Sequence, residues 1–258
     1  MQKAIEIQNN GLTLRGMLHI PEIIKEKIPI VCIFHGFTDN KVGPHFIFVK
    51  LSRMLEAKGI ASIRFDFSGS GESDGEFVNM TISKELDDAK AILNYAKSLD
   101  FVDTNNIGLL GFSMGGAVAS MLAGQHKKDI QSLCLWGAAG NIKELIALGT
   151  KEEELEEARK AGFWDAGGLL VGEDFLKDAL NLDVFSQASQ YDRNVMLLHG
   201  SKDQTVPPST ADKYLDIYET KAVLHIIDDA NHSFSNKSWE DEVLDYSIGF
   251  LEGELKNR

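Results

Sequence analysis

Apolar positions change their spacing along the chain. Near the start they alternate, at Leu12, Leu14, Gly16 and Leu18, which is the period of a strand with one buried face. With residues 4–7 across Asn9, Asn10 and Gly11 this reads as a hairpin, because an Asn-Gly pair accepts the positive φ of a tight turn. Further on, near-continuous apolar runs at 28–34, 60–66, 106–111, 132–136, 195–199 and 223–227 alternate with longer amphipathic stretches at 44–58, 82–98, 114–125, 209–220 and 239–251. That rhythm predicts an α/β protein, with a mostly parallel, eight-stranded sheet and helices on both faces.

One interval breaks the rhythm. Nearly sixty residues separate the runs 132–136 and 195–199, against roughly two to six for an ordinary connection of this kind. Something is therefore inserted after the sixth strand. The expected division is a core of residues 1–136 and 191–258 and a cap of residues 137–190. The cap's first part carries Glu152, Glu153, Glu154, Glu156 and Glu157 with Leu145, Leu148 and Leu155 at helical spacing, which reads as a solvated helix face. Its second part holds Phe163, Trp164, Gly167, Gly168, Leu169 and Leu170, which are apolar or glycine.

Composition narrows the function classes. With 258 residues, 43% of them hydrophobic, the chain can bury a sizeable core. A net charge of −13 repels phosphate backbones, so no nucleic-acid partner is expected. No apolar run approaches the roughly 20 residues of a membrane span, and residues 1–7 lack a secretory signal's apolar block. Neither membrane association nor export is expected. The two cysteines, Cys32 and Cys134, lie inside apolar strand runs and point to a reducing, cytoplasmic compartment.

The strongest chemical signal is Gly111, Phe112, Ser113, Met114, Gly115, directly after one apolar run and before a small-residue helix. GxSxG in that context is a turn sharp enough to expose a serine at a strand end, with glycines removing the Cβ atoms that would clash. A serine needs a base. Of the seven histidines, His19 and His225 fall in strand patterns, His126 ends a helix, and His35 and His199 each precede a glycine in a loop-ordering position. His232, on the loop after the last strand, remains. An imidazole base needs a carboxylate. Asp203 is preferred, while Asp228 and Asp229 compete but sit only four and three residues from His232. Backbone amides of Met114 and Phe37 are the expected donors to a developing oxyanion. His35, Asp39 and His45 make no metal motif and read as loop residues. No metal and no cofactor are expected, since HExxH, CxxC and a dinucleotide fingerprint are all missing.

These segments resemble the α/β hydrolase superfamily over nearly the whole length: HG at His35 and Gly36, RFDFSGSGESD from Arg64 to Asp74, GFSMGG at the serine, HGSKDQTVP around Asp203 and ANHSF around His232. HGFTDNK and an insertion after strand six look most similar to the bacterial feruloyl or cinnamoyl esterases. The resemblance implies the α/β-hydrolase fold with a small cap insertion after strand six. It also implies Ser113, Asp203 and His232 as catalytic residues, Phe37 and Met114 as oxyanion amides, and a small-molecule hydroxycinnamate ester as substrate. Its strand order further places Cys32 and Cys134 about two strand spacings apart, too far for a disulfide.

Other serine hydrolases share these motifs: monoacylglycerol lipases, short-chain carboxylesterases, thioesterases and aminoacyl peptidases. From a different class, a receptor that binds a small ligand without turnover would use the same pocket. In the cap, Trp164 and Phe163 are candidates for stacking on an aromatic acyl group, or else for cap core or a homodimer contact. Glu144 is a candidate acceptor for a phenolic hydroxyl.

Overall fold

The computed structural model describes residues 1–24, 26–149, 156 and 159–256. Strands β1 (Gln2–Asn9) and β2 (Leu12–His19) form the expected hairpin, paired antiparallel with Asn9 opposite Leu12. Asn10 and Gly11 make the whole turn, at φ 48° and 81°, a backbone whose twist matches that of the flanking strands.

From there strand and helix alternate: β3 (Ile28–Phe34), α1 (Ile47–Ala57), β4 (Ala61–Phe65), α2 (Ile82–Ser98), β5 (Val102–Phe112), α3 (Met114–Gln125) and β6 (Ser132–Trp136). After an insertion come β9 (Val195–Gly200), α7 (Ser209–Tyr218), β10 (Ala222–Ile227) and α8 (Lys237–Lys256). The eight strands lie in the order β1-β2-β4-β3-β5-β6-β9-β10. The two pairs made by β2, with β1 and with β4, are antiparallel, and every pair from β4 to β10 is parallel. This is the α/β-hydrolase fold that the motifs imply.

Period-two alternation along the buried strands divides the interior into two cores. Ile30, Cys32 and Phe34 face one core with α2, α3 and Tyr214 of α7. Val31, Ile33, Cys134 and Trp136 face the other, closed by Phe48, Leu51 and Leu55 of α1 and by Val243, Leu244 and Leu251 of α8. Trp136 is fully buried, and its indole N–H donates to Ser247 Oγ at 2.8 Å, so no donor is stranded there. The second core fixes the strand ends β5 and β6, where the serine sits.

The insertion contains α4 (Ile142–Gly149), a hairpin of β7 (Phe163–Asp165) and β8 (Leu170–Gly172), α5 (Glu173–Asn181) and α6 (Val184–Ala188). The hairpin answers the apolar, glycine-containing stretch: Gly167 and Gly168 turn it at φ 76° and 97°. Glu152, Glu153, Glu154, Leu155 and Glu157 lie outside the described residues. Glu156 is exposed and pairs with Lys160 at 3.2 Å. Among the described residues no helix is long and apolar enough to cross a membrane.

Strand β5 separates the strands that hold the cysteines. The thiols are free, buried and on opposite faces of the sheet, and burial pushes each up to about 12. Since the thiolate is the reactive form, native protein at pH 8 should leave both cysteines unmodified by iodoacetamide, and denatured protein should take two labels. Rapid labelling of native protein, or a mass short of two thiols under nonreducing conditions, would contradict this packing.

Candidate active site

The junction of β5 and α3 is built by exclusion of side chains. A Cβ at Gly111 would strike the Gly115 backbone, and one at Gly115 would strike the carbonyls of Phe34 and His35. Between them Ser113 adopts φ 55°, ψ −121°, a region an L-residue occupies only when its surroundings over-determine it. Four backbone bonds do so. The Ser113 amide donates to the Trp136 carbonyl at 2.9 Å, and the Ser113 carbonyl accepts from Gly116, Ala117 and Ala139 at 2.9, 3.3 and 2.9 Å.

Held this way, the Ser113 hydroxyl donates to His232 Nε2 at 2.9 Å. His232 Nδ1 donates in turn to Asp203 Oδ2 at 2.7 Å. The other carboxylate oxygen of Asp203 accepts from the amides of Thr205 and Val206 at 2.9 and 2.8 Å. Burial acts to raise this carboxyl. Hydrogen bonds from His199 and His232, the His232 charge and the Val206 amide outweigh it and hold Asp203 well below the usual carboxylate range. Of the competitors, Asp228 is exposed, and Asp229 pairs with Lys202 at 2.6 Å, at a turn where its own φ is 61°.

Two residues around this chain carry more than the sequence reading gave them. His199 is buried with Nε2 2.9 Å from the Val206 carbonyl, which can only accept, so that nitrogen carries the proton and also faces Asp203 Oδ2 at 3.2 Å. Gly137, just past β6, has φ 46°, and a Cβ there would lie 3.3 Å from both Asp203 Oδ2 and the His232 ring. A strand-end glycine after a buried tryptophan was the only sequence signal for it. The His232 loop is tied down by His45, whose Nε2 donates to the Ser233 carbonyl at 2.8 Å while Nδ1 meets the buried Glu240 at 2.5 Å.

Phe37 follows His35 and Gly36 on the loop after β3. His35 braces that loop, donating from Nδ1 to the Gly36 carbonyl at 2.9 Å and accepting the Phe67 amide at Nε2, 3.1 Å. Burial lowers the pKa of this ring, in keeping with a neutral tautomer that does both. Among the described residues the amides of Phe37 and Met114 donate to no other group of the chain outside regular helix and strand bonding, and Met114 opens α3, the positive end of a helix dipole. Gly36, Phe37, Thr38, Asp39, Phe112, Ser113 and His232 line one cavity of about 390 Å³.

The cap candidates are placed differently from one another. Trp164 is half-buried and continues an aromatic row, 6.0 Å from Phe175, which is 5.4 Å from Phe37. Phe163, its strand neighbour, projects to the opposite side and is 42% exposed. Glu144 is exposed and held by Lys213 at 2.7 Å, beside another cavity lined by Asn141, Asp183 and Phe185. None of Trp164, Phe163 and Glu144 lines the cavity that holds Ser113; Trp164 connects to it only through Phe175 and Phe37. Among the described residues no group of three His, Cys, Asp or Glu side chains is arranged to hold a metal ion.

With the geometry in hand, comparison with known proteins is informative. The profile of a hydrolase family described as serine aminopeptidase, S33, matches residues 25–161. An uncharacterised 31.7 kDa protein of Escherichia coli, from the traX-finO intergenic region, is 32% identical over 104 residues, 40% of this chain and 35% of that protein. The matched stretch thus spans about a third of that relative's length. The mitochondrial palmitoyl-protein thioesterase ABHD10 of Mus musculus is 28% identical over 78% of this chain and 68% of its own. Among solved structures, Est1E of Butyrivibrio proteoclasticus with bound ferulic acid superposes with a TM-score of 0.88 at 27% identity, covering 97% of this chain and 99% of that one.

The depressed Asp203 carboxyl has a measurable consequence. A carboxylate held low in the folded state contributes stability above its unfolded value and loses it as pH falls toward the folded one. The urea-unfolding advantage of wild type over Asp203→Asn should therefore be largest near pH 7 and shrink as pH drops below about 4. An advantage that grows on acidification would contradict the assignment.

Proposed function

The chain belongs to the hydrolase family described as serine aminopeptidase, S33, and from that membership and the site geometry we propose that it cleaves carboxylic esters through an acyl-enzyme on Ser113. It is an esterase-type hydrolase. The observation that carries the mechanism is the hydrogen-bonded chain Ser113–His232–Asp203. His232 Nε2 takes the hydroxyl proton as Ser113 Oγ attacks the ester carbonyl. The oxyanion forms where the amides of Phe37 and Met114 have no other acceptor among the described residues, and Asp203 stabilises the imidazolium. His232 then protonates the departing alkoxide, water attacks the acyl-enzyme by the same route, and the serine is regenerated.

The finer part of the proposal concerns the acyl group. Residues 137–190 act as a cap over it, and the row Trp164, Phe175 and Phe37 supports a flat aromatic acyl group of the hydroxycinnamate kind. The likeness to Est1E, whose structure holds ferulic acid, favours the same substrate. A second reading, thioester cleavage, is favoured by the similarity to ABHD10 over most of the chain. It needs no change in the catalytic groups, only a thiolate leaving group. A cytoplasmic setting belongs to the same proposal and draws on the two free, buried thiols.

A panel of ethyl ferulate, short- and long-chain p-nitrophenyl esters, acyl-CoA and aminoacyl anilides, compared by kcat/KM, separates these readings. Ethyl ferulate should lead; leadership by acyl-CoA would move the assignment to the thioesterase. Ser113→Ala should reduce turnover by at least about 10³-fold and abolish the organophosphate adduct, and adduct persisting on the chain would place the nucleophile elsewhere.

Trp164→Ala should lower the preference for ferulate over acetate by roughly 2- to 10-fold, the range of a lost aromatic contact. An unchanged preference would remove Trp164 from the acyl site.

A further inference from the structure

The catalytic cavity contains a charged group that the mechanism above does not use. Asp39 lines it together with Ser113, His232, Thr205 and Ser233. Its Oδ2 is buried and has no hydrogen-bond partner within the chain among the described residues, and an unmet buried carboxylate oxygen is costly. Its backbone is fixed: the Asp39 amide donates to the Gly36 carbonyl at 3.2 Å across a turn in which Thr38 takes φ 59°. The next residues are fixed too, since the buried Asp66 accepts the Lys41 amide at 2.6 Å and the Lys41 ammonium at 2.5 Å. The Lys41 ammonium, two positions along the loop, is committed to Asp66 and Glu72, and among the described residues no ion pair to Asp39 is formed. Burial pushes the Asp39 carboxyl up to about 6, with the neighbouring Asp66 charge adding to the rise against the Asn40 amide. Above that value it is ionised, and an ionised carboxylate only accepts hydrogen bonds.

The loops that line the cavity with Asp39 say which part of a substrate lies beside this residue. The cavity wall comes from the loops after β3, β5, β9 and β10, and none of the described residues of 137–190 lines it. If the acyl group lies under that insertion, as proposed above, the cavity beside Asp39 receives the other half of the ester. We infer that Asp39 is a specificity-determining residue that selects leaving-group alcohols bearing an O–H or N–H donor close to the scissile bond. A hydroxyl or an ammonium there supplies the partner that Oδ2 lacks, whereas an ether or alkyl group leaves the carboxylate desolvated and unpaired.

The inference rests on the esterase reading, and matched esters of one acid keep the two apart. The probes are the ethyl, 2-methoxyethyl, 2-hydroxyethyl and 2-(dimethylamino)ethyl esters of ferulic acid at pH 7. Wild type should favour the hydroxyethyl ester, the protonated dimethylaminoethyl ester or both over the methoxyethyl ester by about tenfold or more in kcat/KM. The winning probe distinguishes a hydroxyl from an ammonium ligand. Asp39→Ala should collapse that ratio toward one. Asp39→Asn, which keeps the shape and an acceptor, should retain part of the hydroxyl preference and lose the ammonium preference. A merely structural role would depress all four esters together and leave the ratios standing. Equal rates for all four in wild type, or ratios that survive in Asp39→Ala, overturn the inference while leaving the esterase intact. Failure to hydrolyse any of them, with no organophosphate adduct, would instead sink the esterase reading on which it rests.

Discussion

The structure turns on the backbone of Ser113, held at φ 55° in the one-residue gap between a buried strand and a buried helix. That conformation is unfavourable alone, by an amount on the order of 1–3 kcal/mol. It persists because Trp136 and Ala139, from the next strand end, bond both sides of it. The two glycines at 111 and 115 let the strand, the helix and the β3 loop approach to backbone contact. The same crowding that strains the serine delivers its hydroxyl to the imidazole and leaves the Met114 amide at a helix start.

The other two members of the hydrogen-bonded chain depend on the parallel sheet. Strands β9 and β10 are adjacent and in register, His199 opposite Ile226 and Gly200 opposite Ile227, so the loops that follow them emerge side by side at the edge where β5 ends. Asp203 is shaped by its own turn amides and by His199, and His232 by the tether from His45 to Ser233. Gly137 provides the space between them. The site is thus assembled from four loops with little freedom of their own, which is what a catalytic geometry requires.

The sequence made much of this legible, and the reason differs by element. Buried parallel strands are short apolar runs that cannot be mistaken for surface helices, so β3, β6 and β9 stand out within a residue or so of their ends. Asn10-Gly11 and GFSMG are local solutions to local backbone demands, and they read directly. The insertion was less legible, because β7 and β8 are three residues each and rest on packing against the core, not on a pattern of their own. Glu144 looked available because its partner Lys213 is sixty-nine positions away. Gly137, the second contact of Asp203 and the open carboxylate of Asp39 were hidden for the same reason: each is defined by neighbours brought in from other strands. Pairings across the fold leave no periodic trace in the chain.

The central claim is that an acyl group passes through a covalent bond to one serine oxygen. Turnover of an activated ferulate ester quenched in acid within milliseconds, followed by intact mass and peptide mapping, tests it directly. The account predicts a single added acyl group per chain, located on the peptide that contains Ser113, rising before the steady state and decaying once substrate is exhausted. Turnover with no acyl adduct at any quench time, or an adduct on another residue, would contradict it.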